Sequence, residues 1–599
     1  MKIYILLFLR GGGVFRLISP KALRLALPFL CFSFAFSSYA TDIFVAPEGR
    51  GAMTGADWSN ALNGSRDGFH IDVKTAITTA VAGGATEVNV YFAGGTYSVT
   101  NQLSLSSITI PVKLSGGYLA ETDGSLAKGE TATTFSRTAN NVRHINASSM
   151  SDLRIEGISF SGGYVNGNAE KGGAVHLNAS TTVIANCLFA GNRFHDTNNG
   201  AGSFSGGGAV AAESGNLNLK DCTFNGNYRS GGNANNGTGG AVYAKSANLI
   251  VSGCSFSGNY LDGASALPHL YGGAIGTYYG NVTITNCTFQ GNYIRGPSKT
   301  RTGSGGAIAI RNAKTFLMSD STLTGNYVGN TSGGTQSNST GIMLLDDLLE
   351  SDGLMTSVVE RCVFDSRTVP NTIKPPSGST QVPVQSDMLV SGGRLFMTNC
   401  VIFSARGNHS YSAYSIRSQQ YSCGKKGYGG YSYANSGTWT CAPCSMELVN
   451  CTIADGKTYG AYAFDGTEMT LKNCIAYGNS VSGVVNATSI EYSCIQEPHE
   501  GEGNFVPESV EALNWTGAPY YHLLTKKANG AITNGWFSGT YESARTAADS
   551  PCIDAGAPHS PGLDLEPMPH GQRINLGAYG GTQWASMTSG SIGLILVVK

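Results

Sequence analysis

Charge is what this 599-residue chain has least of. Only 13% of its residues are Asp, Glu, Lys or Arg, against ~25% in an average soluble protein. The two signs nearly cancel, 38 Lys+Arg against 39 Asp+Glu. That balance gives no electrostatic reason to expect nucleic acid or an anionic membrane surface as a partner. No Gly-X-Y period appears, which excludes collagen. After residue 40 no apolar run approaches the ~20 residues of a membrane-spanning helix, and the final run Ile592 to Val598 is far too short. The ten histidines form no HxH, HExxH or GHG group. Phosphate loops, nucleotide fingerprints and serine elbows are missing too, which removes the common metallopeptidase, nucleotide and α/β-hydrolase chemistries. Hydrophobic residues still make up 41%, so a folded core is expected rather than general disorder. What is abundant is glycine: 81 residues, close to twice the usual ~7% share.

The first forty residues read as a targeting segment. Lys2, Arg10, Arg16, Lys21 and Arg24 precede an apolar run from Leu25 to Phe36, and Ser38-Tyr39-Ala40 has the small-x-small form of a signal-peptidase site. The expectation is an exported protein, extracellular or associated with a bacterial outer membrane.

The rest is organised by an internal repeat. Gly-Gly-Ala-Val or Gly-Gly-Ala-Ile begins at Gly172, Gly207, Gly239, Gly272 and Gly305, at spacings of 35, 32, 33 and 33 residues. Four copies are followed by Cys-x-Phe-x-Gly-Asn, at Cys187, Cys222, Cys254 and Cys287, and the fifth by Ser321-Thr-Leu-Thr-Gly-Asn326. Aligned on the cysteine, positions five and three before it and two after it are apolar, as in Leu217, Leu219, Cys222 and Phe224. The template extends upstream to Leu153–Phe160 and downstream to the rows at Cys400, Cys451 and Cys474; Cys362 fits partly and Cys494 hardly. Each row alternates apolar and polar twice with a phase slip between, which means two short strands joined by a bend. With the Gly-Gly-Ala-Val strand, each repeat has three strands too small to bury their own faces, so copies must stack. The fold class predicted is all-β, a right-handed parallel β-helix of roughly a dozen three-strand coils.

The closest rows are 23 residues apart, so the longer repeats carry insertions at 193–206, 228–238, 260–271 and 293–304. These recur at one point of the coil and should project from one edge, where solenoids commonly bind. Ile71, Ala76, Ile77, Ala80 and Val81 fall at helical spacing and predict a short N-terminal capping helix, followed by a strand at Val88 to Phe92. The expected organisation is 1–40 signal peptide, 41–115 N-terminal cap and first coils, 116–500 repeats interrupted by a Tyr/Gly/Ser/Cys-rich insertion at 404–445, and 501–599 C-terminal cap and tail. Asp554 to Tyr579 is the candidate for the second cap.

The pairing of GGA[VI] with FxGN resembles the repeats of polymorphic outer membrane proteins, and more generally of secreted β-helix proteins with a pectate-lyase-like fold. Asp549-Ser-Pro-Cys-Ile-Asp-Ala-Gly556 followed by Arg573-Ile-Asn-Leu-Gly-Ala-Tyr-Gly-Gly581 is similar to the terminal segment of choice-of-anchor bacterial surface proteins. The resemblance covers about 150–330 and 545–585. It implies a surface protein, although the C-terminal membrane barrel of the outer membrane group is missing, and with it that route of self-export.

Candidate residues fall into four groups. Cys187, Cys222, Cys254 and Cys287 occupy inward positions where Ile158 or Ser321 substitutes, and read as a free-thiol core ladder. Asn192, Asn227, Asn259, Asn292 and Asn326 read as structural amides that bond from coil to coil and tolerate a left-handed backbone. Tyr228, Tyr260, Tyr293 and Tyr327, flanked by Arg229 and Arg295, are candidate ligand contacts, because sugar faces stack on aromatic rings; the competing reading is packing over the loop base. Asp346, Asp347 and Glu350 form the densest acidic cluster. They could serve glycoside hydrolysis or hold Ca²⁺ for a lyase, but the NTD, GHG and RIK motifs of β-helix polygalacturonases are absent, and a solvated loop is the plainer account. Cys423, Cys441 and Cys444 suit a disulfide that stiffens the insertion, with a redox pair or a thiolate site with His409 as alternatives. The functional expectation is a monomeric structural, adhesive or glycan-binding module on the cell surface or outside the cell. It would act on polysaccharide or a host or neighbour cell surface, without catalysis, cofactor or resident metal. The alternative is a polysaccharide lyase or glycoside hydrolase on the same scaffold, with Ca²⁺ for a lyase.

Overall fold

The computed structural model describes residues 39–589, apart from positions 122, 124, 338 and 465 and the segments 168–170, 198–203, 232–235, 263–268, 296–301, 330–335, 347–353, 369–384, 404–412, 419–442 and 543–545. Ala40–Lys599 forms one compact unit; of Met1–Tyr39, the other unit, only Tyr39 is described.

The chain is a right-handed parallel β-helix. Its simplest sheet has 13 strands, one per coil, from Gly95–Val99 to Cys494–Ile495. A 24-stranded sheet holds the other two rows of each coil, and in Val175–Ala185, Val210–Lys220 and Val242–Ser252 both rows run as one 11-residue strand. The phase slip before each cysteine is a single left-handed residue. Asn186, Asp221, Gly253, Asn286, Asp320, Asn399, Asn450 and Asn473 all have φ between 49° and 63°. Asn, Asp and Gly tolerate that conformation best, so the chain turns there while the flanking side chains stay inward.

Inward columns repeat at the strand spacing. Phe160, Phe189, Phe224, Phe256 and Phe289 stack with centroids 4.7–5.0 Å apart. Cys187, Cys222, Cys254, Cys287, Cys362, Cys400, Cys451 and Cys474 are buried free thiols. Each thiol donates to the carbonyl two residues before it, as Cys222 does to Lys220 at 3.2 Å. Cys254, Cys287, Cys400 and Cys474 also accept a backbone N–H from the preceding coil, as Cys254 does from Cys222 at 3.4 Å. Ser321 and Ser493 make the same pair of bonds. From Cys187 on, the column therefore selects a small side chain with one X–H group, which explains why Ser substitutes there, while Ile158 fills the same position upstream without these bonds. It also corrects the register of the last row: the rung is Ser493, with Ile490 and Ile495 inward, and Cys494 points out.

The four insertions are ordered where described. Their outgoing limbs, with the equivalent strands Tyr164–Gly167 and Tyr327–Gly329 of the coils on either side, form a six-stranded parallel sheet, and their returning limbs, with Gln336–Ser337, a five-stranded one that starts at Phe204–Gly206. The two sheets close on a small core of Leu261, Leu270, Ile294 and Val328. The returning limb reaches the Gly-Gly-Ala corner, where there is no room for a side chain. A Cβ on Gly208 would lie 2.3 Å from the Gly240 carbonyl and 2.5 Å from the Tyr228 backbone.

At the N-terminal end the helix α1 (Phe69–Ala82) buries Phe69, Val73 and Ile77 against the first coils, with Phe69 packing on Tyr97 and Phe135. Ile71, expected on the buried face, is instead 57% exposed. The strand after it spans Glu87–Ala93. At the other end the terminal strand edge is covered by 497–505 rather than by Asp554 to Tyr579. The Glu497 carboxylate accepts from Gly483 N and Val484 N, and Asn504 bonds Ser493 N and Ile490 O. Asp554 to Tyr579 lies along the outer flank of the last coils, hooked by the bend asparagines. Asn399 and Asn450 donate to the Gly580 carbonyl, and Asn473 accepts from Ala557 N. Part of the expected 404–445 insertion also belongs to the solenoid, since Ala413–Ser418 is a strand of the large sheet.

Candidate functional site

The outgoing limbs set a tyrosine at their first position in every coil but one, where it is Arg193. In register these are Tyr164, Arg193, Tyr228, Tyr260, Tyr293 and Tyr327. The four consecutive tyrosines stack face to face, centroids 4.6, 4.8 and 5.0 Å apart and planes within 6° of parallel. Arg193 fills the gap between Tyr164 and Tyr228, its guanidinium 4.7 and 5.3 Å from the two rings. All four rings are half-buried. Burial, then the neighbouring phenols, pushes Tyr260 up to about 12, and burial raises Tyr293 and Tyr327.

This geometry changes the expected chemistry. Within the ladder, the ring faces that would have stacked on sugars cover one another. The edges and hydroxyls remain for a ligand: a row of groups, each able to donate and accept, at the coil repeat. Arg295 stays with this column. Its guanidinium lies 5.6 Å from the Tyr260 ring and pairs with Asp262 at 2.5 Å, with the arginine half exposed.

Arg229 does not belong there. Strand alternation turns it inward, in register with Leu261, Ile294 and Val328, and it is fully buried. Its guanidinium is held by Asp196 Oδ2 at 3.0 Å, Ser205 Oγ at 3.0 Å and the Gly231 carbonyl at 2.8 Å. The signal was in the sequence: Leu, Ile and Val occupy that position in the next three coils.

The asparagine column beside the tyrosines is continuous. From Asn192 to Asn292 each amide nitrogen donates to the amide oxygen of the next coil at 2.9–3.0 Å, and all five donate to a phenylalanine carbonyl of the preceding coil. Each amide oxygen from Asn227 to Asn326 also accepts the backbone N–H of the asparagine before it. The left-handed residue is the preceding glycine, as at Gly226 and Gly258, rather than the asparagine.

The acidic cluster is only partly described. Asp346 is buried and accepts the Met355 backbone N–H at 2.7 Å, bridging the base of its loop instead of facing solvent. Asp347 and Glu350 lie outside the described residues. So do Cys423, Cys441 and His409. Cys444 is a buried free thiol at the start of the strand Cys444–Val449, with its sulfur in the core, and takes no part in a disulfide. The sequence reading also missed Asp387. It is buried, receives Ser366 and Thr340 hydroxyls, and is raised to about 7 by burial. An open cleft of about 490 Å³ lies between α1 and the first strand, lined by Thr41, Ile43, Gly55, Arg66, Asp72 and Thr79 among others; none of the sequence candidates borders it.

No family model matches this chain, and no curated protein matches it. Three solved structures align with it at 12% sequence identity. Tailspike protein 3 of bacteriophage CBA120 aligns over 78% of this chain with a TM-score of 0.32, and the chain spans about 60% of the tailspike's length. A rhamnogalacturonan lyase aligns over 85% of this chain and 97% of its own, at 0.28. Endo-xylogalacturonan hydrolase from Aspergillus tubingensis aligns over 79% and 100%, at 0.18. At these scores the likenesses carry no argument about what this chain does.

Proposed function

We propose that this is an exported bacterial surface protein whose β-helix holds a polysaccharide along its tyrosine flank without cleaving it. The observation that carries the reading is the unbroken ladder Tyr228, Tyr260, Tyr293 and Tyr327. It offers one phenol every 4.6–5.0 Å, beside an Arg295–Asp262 pair that can also bond hydroxyls. A ligand with repeating hydroxyl groups matches a repeating row of donors and acceptors, and each further unit adds affinity without a new site. Export rests on residues 1–40, and a surface location on the GGA[VI]/FxGN and Asp549–Gly581 resemblances. No cofactor or resident metal is part of the reading.

The test is Tyr260→Phe with Tyr293→Phe, which removes two hydroxyls and keeps the stacked rings. Retention on a panel of immobilised acidic and neutral polysaccharides should fall several-fold for the glycan that the parent binds, with unchanged Tm. Equal retention would reject the ladder as the contact. The same panel, followed by unsaturated-product absorbance and by reducing ends, separates holding from lyase or hydrolase action; turnover by the parent protein would replace this reading with the enzymatic one.

A further inference from the structure

Among the described residues, two cysteines lie on the outer side of the coils, and both belong to one buried cluster. In the last coil the column's rung is Ser493, so Cys494 is turned outward, in register with Ile475. Opposite it lies Cys552, from the Ser-Pro-Cys-Ile-Asp segment that runs along the flank. Both are fully buried free thiols in one apolar cluster with Ile475, Leu513, Leu523 and Leu576. Their backbones are fixed from both sides. Cys494 N bonds Cys474 O at 2.9 Å, and Leu576 N bonds Cys552 O at 2.8 Å. Among its neighbours, the Cys552 thiol acts most strongly on the Cys494 thiol.

We propose that Cys494 and Cys552 are a disulfide site, a covalent staple between the last coil of the solenoid and the C-terminal segment. The inference draws on the export reading only for the compartment in which the bond would form. The chemistry balances with a disulfide of low molecular weight, such as oxidised glutathione, as acceptor. One cysteine thiolate attacks its S–S bond and releases one glutathione thiol. The second thiolate attacks the mixed disulfide and releases the other. The protein loses two protons and two electrons, and the acceptor becomes two thiols. The timing follows from the packing. In the folded chain the Cys552 thiol, and then burial, hold Cys494 protonated, far above its ordinary pKa. Exchange therefore belongs to folding, before the cluster closes.

The staple would act on a segment otherwise held by apolar contacts and a few hydrogen bonds. The experiment is refolding of the wild-type chain in oxidised glutathione, quenching with N-ethylmaleimide after denaturation, and peptide mapping without reductant. The expected product is a cross-linked peptide pair carrying Cys494 and Cys552, lost on reduction, while Cys187, Cys222, Cys254 and Cys287 carry the alkyl label. Full alkylation of Cys494 and Cys552 would overturn the proposal. A second measurement is limited proteolysis between residues 506 and 548. Cleavage should be several-fold slower in the oxidised wild type than after reduction, and Cys552→Ser should cleave at the reduced rate whatever the redox state. Equal cleavage of oxidised and reduced wild type would show that no staple holds the segment. Neither readout depends on glycan retention, so the staple and the tyrosine ladder fail separately.

Discussion

The Gly-Gly-Ala coils from Gly172 to Leu345 and the coils from Thr356 to Ile495 obey one inward rule and two outward ones. Inside, both repeat the small X–H rung and the residue two after it: Phe224, Phe256 and Phe289 in the first region, Ile402 and Ile453 in the second. Outside, the same strands differ. The position after the rung is Thr223, Ser255, Thr288 and Thr322 in the first region, exposed or half-buried. In the second it is Val363, Val401, Thr452, Ile475 and Cys494, all buried under the C-terminal segment. Phe403 and Ala454 continue that apolar surface against Tyr521, Tyr579 and Trp536. Inward alternation specifies a coil, and the outward residue decides whether something packs on it. The first region meets its need for cover by building its own second layer from the insertions.

The amide ladder marks the deepest difference, and breaking it should cost most. Asn259→Ala orphans Asn227 N and Phe224 O, and removes one of the two bonds made by Asn227 Nδ2 and by Asn292 Oδ1, all inside. At ~1–3 kcal/mol per orphaned group, partly relieved by water, we expect a loss of about 4–6 kcal/mol. In the second region Asn479 bonds Gly456 N and Ile453 O, and Asn479→Ala should cost about half as much. Regional hydrogen exchange measures both, and equal losses would erase the distinction.

Next is the second layer itself. Arg229→Ala leaves Asp196 buried without its cation, at a cost of about 3–5 kcal/mol. Arg229→Leu with Asp196→Ala should recover most of it, because Leu261 already fills that column one coil on. Thermal melts of the wild type and the two variants decide this.

The two regions should also respond to opposite ends of the pH scale. The folded pKa of Asp387 is raised to about 7 by burial. Its contribution is full below the ordinary carboxylate range and is lost as pH rises from about 4 to 7, at up to ~1.4 kcal/mol per unit. Glu213 is held at about 2, first by its bond to His176 and also by Lys171. Its contribution is full above that range and is lost as pH falls toward 2. Asp387→Asn should flatten the decline between pH 4 and 7 and leave the acid limb. Glu213→Gln should do the reverse. Urea midpoints across pH 2–8 provide the check.

The smallest effect comes from swapping outward residues. Val401→Thr buries a hydroxyl against the C-terminal segment and should cost about 1–2 kcal/mol. Thr288→Val, on the open face, should stay within about 0.5 kcal/mol. Similar values for the two would mean that the covered and open faces are energetically alike.

Much of this was legible in the sequence, for a definite reason. A stacked coil repeats its environment, so Leu217, Leu249 and Val282, or Asn227, Asn259 and Asn292, announce one position several times over. Where the environment changes from coil to coil, the reading slipped. Arg229 looked like a neighbour of the tyrosine row because adjacent residues were grouped before their alternation was applied. The row at Cys494 hardly fits the template because its rung is Ser493, one residue earlier. Ile71 was placed on the buried face of α1 because the helical period alone does not say which stripe meets Tyr97 and Phe135.

The sequence alone determined the solenoid: its class, its rungs, the bend residues and the position of the insertions, because these follow from local period and from contacts between equivalent residues. Tertiary structure decided what covers what. Stacking the tyrosines turned their faces toward one another. Folding the insertions made a second layer with a buried ion pair, and laying the C-terminal segment along the flank brought Cys552 into one apolar cluster with Cys494. Those pairings join residues that no repeat relates, so only the packed chain brings them together.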